Sequence, residues 1–198
     1  MQATLQRPRT TARRIVTISL PKKRYTYEDY LIFPDDGFRY EIINGEAFMS
    51  PSPIFFHQHI QANLSFLLTS YVRKNKLGEV VTAPMDVTLS MTDIVQPDII
   101  FISNERKEII AKRIIGAPDL LVEILSETTE TRDRTIKKSL YEKSGVLEYW
   151  LVDVDEKTIE QFVLKNKKYA RKGIYSVGQK ISSEAVKGFE TKVEKVFE

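Results

Sequence analysis

Three short runs of apolar residues constrain the fold of this chain more than any other feature of its sequence. They read DIIFI at 98–102, LLVEIL at 120–125 and YWLVD at 149–153. A strand with one solvated face alternates apolar and polar residues, whereas these runs are nearly continuous, so both faces of each strand should be packed. The economical fold is a mixed central β-sheet flanked by helices, in the α/β (α+β) class.

Helix and turn signals around these runs predict the order of the central elements. Apolar residues three and four apart predict an amphipathic helix over 57–74 that Gly78 closes, and a second helix over 128–145 ends at Gly145. Strands are expected on either side of these helices, at 79–90, 94–103, 119–126 and 147–155. The central order is therefore α-β-β-β-α-β.

Smaller elements are predicted at both ends and within the longest connection. Thr26 is a candidate N-cap for a short helix over 25–34. Asn44-Gly45 is a two-residue hairpin signal, and a second hairpin should turn at Asn166. The connection 104–118 suggests a short helix, and the terminal residues 185–197 fit either a short strand or a helix.

The charge of the chain divides it into two parts. Seven of the 30 basic residues lie within residues 1–24, where no Asp or Glu occurs, which leaves 23 basic against 27 acidic residues, a charge of −4, for residues 25–198. We interpret residues 1–24 as a basic N-terminal arm, and residues 25–198 as a single domain. The arm could contact nucleic-acid phosphates or be a solvated, flexible leader, and the sequence leaves both open.

Composition also excludes several classes of protein. The chain has no cysteine, which rules out disulfides, thiolate metal sites and cysteine nucleophiles. No segment approaches the roughly 18 consecutive apolar residues of a membrane-spanning helix. With no secretory signal pattern at the N-terminus, we expect a cytoplasmic protein without membrane contacts.

Two carboxylates in the apolar runs indicate a candidate site. Asp98 opens one run and Glu123 interrupts another, and a buried ionised carboxylate must be neutralised, paired with a cation or bound to a metal. If the strands are neighbours, alternation lets both side chains converge on one face. Oxygen ligands on rigid strands suit Mg²⁺ or Mn²⁺, and such an ion supports hydrolysis of a phosphodiester.

A cation beside such a site would stabilise the transition state, and the helix after Glu123 offers several. Its i and i+3 spacing predicts that Arg134 and Lys137 share one face, and Lys137 is the preferred candidate. The other two basic residues are Arg132 and Lys138.

Taken singly, each of these residues has an ordinary structural explanation. Asp98 could be a turn residue and Glu123 could reach water at a strand end. Lys137 could lie on a solvated helix face, and Glu41 could pair with Arg39 across the hairpin. The functional hypothesis therefore depends on their joint occurrence.

Six ordered motifs also resemble those of a known family, the Uma-type restriction endonucleases within the PD-(D/E)XK nuclease superfamily. The resemblance covers about residues 25–197 and is carried by RYEIINGE, SPSPIFFHQHI, APMDV, VQPDIIFIS, APDLLVEILS and RDRTIKKSLYEKSGVLEYWLVD. It implies a restriction-endonuclease-like core of order α-β-β-β-α-β, with Asp98 and Glu123 as the metal ligands. The superfamily usually has a lysine two residues after the second acid, where this chain has Leu125; similar families place it on the next helix, where Lys137 stands.

The resemblance also implies residues that surround the two ligands. Glu41 matches an accessory acid, with Glu46 as a weaker match. Supporting roles around the site are implied for three polar residues, His57, Asp86 and Gln96.

The predicted function is an endonuclease that hydrolyses DNA with Mg²⁺ or Mn²⁺. A homodimer is expected, because cutting both strands of a duplex favours two symmetry-related sites. Two alternatives stay open. One is a non-catalytic descendant of the fold that binds nucleic acid or a protein partner. The other is a phosphoesterase that acts on a small nucleotide.

Overall fold

The computed structural model describes residues 23–198, so residues 1–22 of the predicted basic arm lie outside the described residues. The last two residues of the arm contact the body. Lys23 Nζ lies 2.8 Å from Asp29 Oδ1, and Arg24 Nη2 donates a hydrogen bond to the carbonyl oxygen of Asn44 at 3.4 Å. A role of the arm in nucleic-acid binding stays a prediction.

A six-stranded mixed sheet forms the centre of the fold. Strands β8 (Leu120–Ile124) and β9 (Glu148–Asp153) are parallel, and the other neighbours are antiparallel. A parallel pair requires a crossover connection, which the helix between these strands supplies. Beyond β9 lie β10 (Thr158–Lys165) and then β11 (Lys168–Ser176). Beyond β8 lie β6 (Ile99–Ser103) and then β3 (Gly78–Thr82).

A five-stranded sheet packs beside the central one, and a two-stranded ribbon lies near the C-terminus. The order in the second sheet is β2-β1-β5-β4-β7. These strands are β1 (Arg39–Ile43), β2 (Glu46–Ser50), β4 (Val87–Ser90), β5 (Asp93–Val95) and β7 (Ile114–Ile115), and the ribbon pairs β12 (Lys180–Ser182) with β13 (Glu190–Lys192).

Both predicted hairpins are confirmed. The β1–β2 turn has Asn44 and Gly45 at φ of 52° and 77°, the left-handed pair that a two-residue hairpin turn requires. The β10–β11 turn places Asn166 and Lys167 at φ of 52° and 62°.

Two of the predicted strands are wrong as continuous elements. The segment 79–90 divides into β3 and β4, and the segment 94–103 divides into β5 and β6, with the two halves of each in different sheets. Pro84 and Pro97 occupy the breaks, and proline cannot donate to a strand ladder. Asp98 therefore lies at the junction between the sheets and not within a strand.

The helices are α1 to α5, and two of them differ from the prediction. Helix α1 (Tyr27–Tyr30) is shorter than expected, although it begins after Thr26 as predicted. Helix α2 (Phe55–Asn75) ends at Lys76, which takes the left-handed conformation, and not at Gly78. Gly78 is the first residue of β3, where a Cβ atom would overlap the carbonyl oxygen of Ile102.

The remaining helical segments agree with the predicted positions. The helix over 128–145 consists of α3 (Glu130–Arg132), a π-helical turn (Asp133–Lys137) and α4 (Lys138–Ser144). The connection after β6 contains a 3₁₀ helix (Asn104–Ile109). The C-terminal residues form both β13 and α5 (Glu194–Phe197), where the sequence left strand and helix open.

The core has one apolar layer on each face of the central sheet, as the apolar runs predicted. Leu64 and Leu68 of α2 pack with Trp150 on one face. Leu140 and Tyr141 of α4 pack on the other. The order α2-β3-β6-β8-helix-β9 confirms the predicted α-β-β-β-α-β core. Within residues 23–198, no helix is long and apolar enough to cross a membrane.

Candidate active site

A cleft of about 430 Å³ opens where the two sheets meet the helix that follows β8. Its walls come from β1, the junction after β5, the end of β8, the start of α2 and the π-helical turn. The fold thereby brings together four of the residues singled out from the sequence, Glu41, Asp98, Glu123 and Lys137.

Asp98 is a buried carboxylate held by three donors. Its Oδ2 accepts hydrogen bonds from the backbone N of Ile124 at 2.8 Å and from His57 Nε2 at 3.1 Å, and its Oδ1 lies 3.4 Å from Arg39 Nη1. Burial raises the pKa of Asp98, but the hydrogen bonds from His57 and Ile124 outweigh it, so the pKa lies below its ordinary value. Asp98 is therefore ionised and fixed in orientation.

Glu123 has the opposite electrostatic character. Its Oε1 accepts hydrogen bonds from Lys137 Nζ at 3.0 Å and from the Tyr141 hydroxyl at 2.6 Å. Burial raises the pKa of Glu123 well above its ordinary value, Lys137 opposes the rise, and the neighbouring acids Asp133 and Asp98 add to it. Glu123 is the carboxyl of the site that most readily holds a proton.

Lys137 is the buried cation at the centre of the acids. Its Nζ lies 2.9 Å from Glu41 Oε1, 3.0 Å from Glu123 Oε1 and 3.5 Å from Asp133 Oδ1. Burial lowers the pKa of Lys137, but the surrounding acidic side chains, among them the ionised Glu41, more than compensate, and the pKa lies above its ordinary value. The side chain is therefore an ammonium ion.

Glu41 faces the cleft from β1 and does not pair with Arg39. Its Oε1 accepts hydrogen bonds from Lys137 Nζ and from the backbone N of Gln96 at 2.9 Å, and its Oε2 lies 3.4 Å from Arg132 Nη2. Burial raises the pKa of Glu41, but the positive charges of Lys137 and Arg132 lower it by more than burial raises it. The pKa of Glu41 therefore lies below its ordinary value. Glu41 is ionised and shares Lys137 with Glu123.

The predicted supporting residues lie at different distances from the acids. His57 contacts Asp98 directly. Gln96 contacts Glu41 through its backbone, and its side-chain Nε2 donates to Asp86 Oδ1 at 2.9 Å, so Asp86 contacts Gln96 and does not line the cleft. Glu46 lies exposed at the start of β2, opposite Ile43 in the hairpin.

The π-helical turn is the feature that sequence reasoning missed. The amide of Lys138 donates to the carbonyl of Asp133, five residues earlier, and this wider turn directs both Asp133 and Lys137 into the site. The predicted shared face for Arg134 and Lys137 is wrong. The Arg134 side chain is 34% exposed and pairs with Glu130 and Glu160, whereas that of Lys137 is 4% exposed.

Asp133 is a fourth buried acid that the sequence did not single out. Its Oδ1 has no hydrogen-bond partner within the described residues, and burial raises its pKa. Among the charged residues at 132, 133, 134 and 137, no local signal distinguishes those that are buried from those that face solvent.

The carboxylate oxygens of the site are chemically suited to bind a divalent cation. Mg²⁺ and Mn²⁺ prefer carboxylate oxygens and commonly take only one or two from the protein, a number that Asp98 and Glu123 could supply. Across residues 23–198, no group of three or more His, Cys, Asp or Glu side chains is arranged to hold a metal. Lys137 Nζ instead lies where the oxygens of Glu41 and Glu123 converge, so a cation would share these acids with the ammonium.

Comparison with known proteins agrees with the fold and the resemblance. Residues 27–194 match the model of the Uma2 family, described as "Putative restriction endonuclease". A crystal structure of "a putative nuclease belonging to DUF820" from Anabaena variabilis superimposes with a TM-score of 0.75 at 21% identity, over 87% of this chain and 97% of that chain. This chain therefore belongs to the Uma2 family and has a restriction-endonuclease-like fold.

Proposed function

We propose that this protein is a divalent-metal-dependent endonuclease that hydrolyses phosphodiester bonds in DNA. The observation that carries the proposal is the convergence of Glu41 and Glu123 on the buried Lys137, in a cleft that Asp98 also lines. Taking several charges out of water has a large desolvation cost, and such clusters are concentrated at functional sites. Membership of the Uma2 family supports the same conclusion.

Asp98 and Glu123 would hold the cation. Asp98 is already ionised and oriented by Ile124 and His57, whereas Glu123 would give up its proton on binding. An Mg²⁺ or Mn²⁺ ion bound there would lower the pKa of a water and offset the negative charge of the phosphate. The role of His57 in this scheme is to keep the Asp98 carboxylate in place.

The cations of the cleft would bind and stabilise the phosphate. Lys137 stays protonated and can donate to a phosphate oxygen as charge builds in the transition state. Arg132 lines the cleft, and its buried Nε has no hydrogen-bond partner within the described residues. An unsatisfied guanidinium donor at this position suits an anionic ligand. Two copies of the chain would cut the two strands of a duplex.

The alternative is a non-catalytic protein that retains the fold and binds nucleic acid or a partner. One observation favours it, because Lys137 already satisfies Glu41 and Glu123 without a metal, and no preformed three-ligand group exists in the described part of the chain. The two functions differ in whether the site binds a divalent cation.

Calorimetric titration of Mn²⁺ and nicking of a supercoiled plasmid, both on the same samples, test the proposal. The variant is Glu123→Gln, which keeps an oxygen to accept from Tyr141 and Lys137 but weakens a metal ligand. Glu127→Gln, an exposed acid of the cleft wall, is the matched control. Binding and nicking that are lost in Glu123→Gln alone support the endonuclease. Binding without nicking contradicts the DNA substrate, and no binding in the wild type favours the non-catalytic protein.

A further inference from the structure

A second groove, of about 390 Å³, lies between the C-terminal half of α2 and the β12–β13 ribbon. Its floor is aromatic, since the rings of Tyr71 and Phe189 meet edge to face with centroids 5.5 Å apart. None of its lining residues belongs to the cleft described above. Its rim carries an exposed phenylalanine and four lysines, Phe66, Lys74, Lys180, Lys192 and Lys195.

The lysines make this groove positively charged. Lys180 and Lys192 are direct cross-strand neighbours, an arrangement of like charges that destabilises a ribbon. Glu190, 2.6 Å from Lys180, is the acid among the lining residues. Within residues 23–198, no carboxylate pairs with Lys74 or Lys195. Since Lys180 pairs with Glu190 and Lys192 with Glu194, the free cations that the groove offers to an anionic ligand are Lys74 and Lys195.

The exposed ring of Phe66 adds a second kind of contact. Phe66 is 70% exposed, so its ring is accessible to a ligand. Phe66, Ser70 and Lys74 follow each other at four-residue steps, so the ring and the ammonium lie along one stripe of α2 about 12 Å long. A flat ring beside lysines is the combination that binds single-stranded nucleic acid, through base stacking and phosphate contacts.

We propose that this groove is a second site, which binds single-stranded nucleic acid with a base on Phe66 and phosphates at Lys74 and Lys195. A duplex keeps the faces of its bases stacked inside, so only an unpaired base can reach the ring. Phe66 lies nine residues after His57 on α2, about 14 Å along the axis, which separates the groove from the cleft. The proposal does not depend on cleavage in the cleft.

Fluorescence anisotropy with a labelled oligothymidylate tests the charge contacts. EDTA is present throughout, so that metal binding and cleavage cannot affect the result. The variant is the double substitution Lys74→Ala and Lys195→Ala, and the charge-matched control is Lys165→Ala with Lys167→Ala at the exposed β10–β11 turn. We expect the groove variant to bind more weakly and to reduce the slope of log affinity against log salt by about 1.4, while the control matches the wild type. Equal behaviour of the two variants would overturn the site.

Substitutions of Phe66 test stacking separately from charge. Phe66→Leu keeps an apolar side chain without a ring and should weaken oligothymidylate binding about tenfold, whereas Phe66→Tyr should retain it. If the Phe66→Leu variant binds the oligothymidylate as well as the Phe66→Tyr variant does, stacking is excluded. Tighter binding of polyglutamate than of the oligothymidylate would also overturn the proposal.

Discussion

Two glutamates on adjacent strands of the central sheet show how differently a buried carboxylate can be used. Glu123 on β8 is 3% exposed and Glu148 on β9 is fully buried. Glu123 accepts hydrogen bonds from an ammonium and a phenol, shares that ammonium with Glu41 and Asp133, and lines an open cleft.

Within residues 23–198, the donors to Glu148 are all neutral. Its Oε1 accepts from Trp150 Nε1 at 2.6 Å and from the side chain of Gln161. Its Oε2 accepts from Ser183 Oγ at 2.6 Å and from the backbone amides of Glu184 and Ala185 at 2.9 and 2.7 Å. The three bonds to Oε2 attach the loop after β12 to β9.

The comparison teaches that burial of an acid does not by itself mark a functional site. A carboxylate whose oxygens are satisfied by neutral protein donors is a structural anchor. A carboxylate that competes with other acids for one cation beside solvent retains capacity for a ligand. The number and charge of the donors separate the two glutamates, and the four predictions below test that distinction, from the largest expected effect to the smallest.

Replacement of Glu148 should have the largest effect on stability. Glu148→Ala leaves Trp150 Nε1, Ser183 Oγ and two backbone amides without their acceptor, so the free energy of unfolding should fall by about 3–5 kcal/mol. Urea denaturation measures the change, and Mn²⁺ titration of the folded variant should match the wild type. A stability loss below about 1 kcal/mol would contradict the anchoring role.

Replacement of Lys137 should affect both stability and activity. Lys137→Met removes the cation from three buried acids and should lower the free energy of unfolding by about 3 kcal/mol. This value is at the low end of the cost of breaking a buried ion pair, because Glu123 and Asp133 can hold protons. Plasmid nicking should fall about 10²-fold or more. Lys143→Met, on the exposed side of α4, is the control for both assays. Unchanged nicking by Lys137→Met would exclude a catalytic role for the lysine.

Removal of one neutral donor from Glu148 should have a smaller effect. Trp150→Phe deletes the indole N–H but leaves the other four donors, so the free energy of unfolding should fall by about 2 kcal/mol. Urea denaturation of Trp150→Phe and Glu148→Ala side by side compares the two losses in the free energy of unfolding. A loss equal to that of Glu148→Ala would mean that the ring and not the carboxylate holds this region together.

The smallest change should come from Glu123→Gln, and it should depend on pH. In the wild type the folded protein keeps a proton on Glu123 that the unfolded chain loses above its ordinary pKa. Wild-type stability therefore falls as pH rises from the unfolded pKa towards the raised folded pKa, and glutamine does not titrate. The melting temperature of the variant minus that of the wild type should increase from about pH 5 to about pH 8.

Calorimetric melting curves at both pH values check this prediction. Asp98 has a lowered pKa, so its contribution is present above the unfolded pKa and is lost only as pH falls through the folded value, in both proteins. Glu127→Gln is again the control. A melting-temperature difference that does not change with pH would contradict a proton held by Glu123.

Local signals in the sequence predicted most elements of the fold. The hairpin at Asn44 and Gly45 depends on two residues, and the helix stripes depend on spacings of three and four. The prolines at 84 and 97 were visible, but their consequence was not, because a break in a strand does not reveal which sheet the next segment joins. The prediction of two continuous strands failed for this reason.

The candidate site was predicted in part. Asp98 and Glu123 stood out because charges interrupt apolar runs, and the structure brings them together with Lys137 and Glu41. Their catalytic roles stay predictions until the variants are measured. Glu148 did not stand out, because it precedes an apolar run and does not interrupt it.

The sequence by itself determined the buried strands, the order α-β-β-β-α-β and the acids available for a site, since these depend on hydrophobicity and local spacing. Only the tertiary structure decided the pairing of charges: Arg39 lies against Asp98, and Lys137 lies between Glu41 and Glu123. It also placed the π-helical turn that buries Lys137 and leaves Arg134 partly exposed. These choices depend on distances between segments far apart in the chain, which no local pattern encodes.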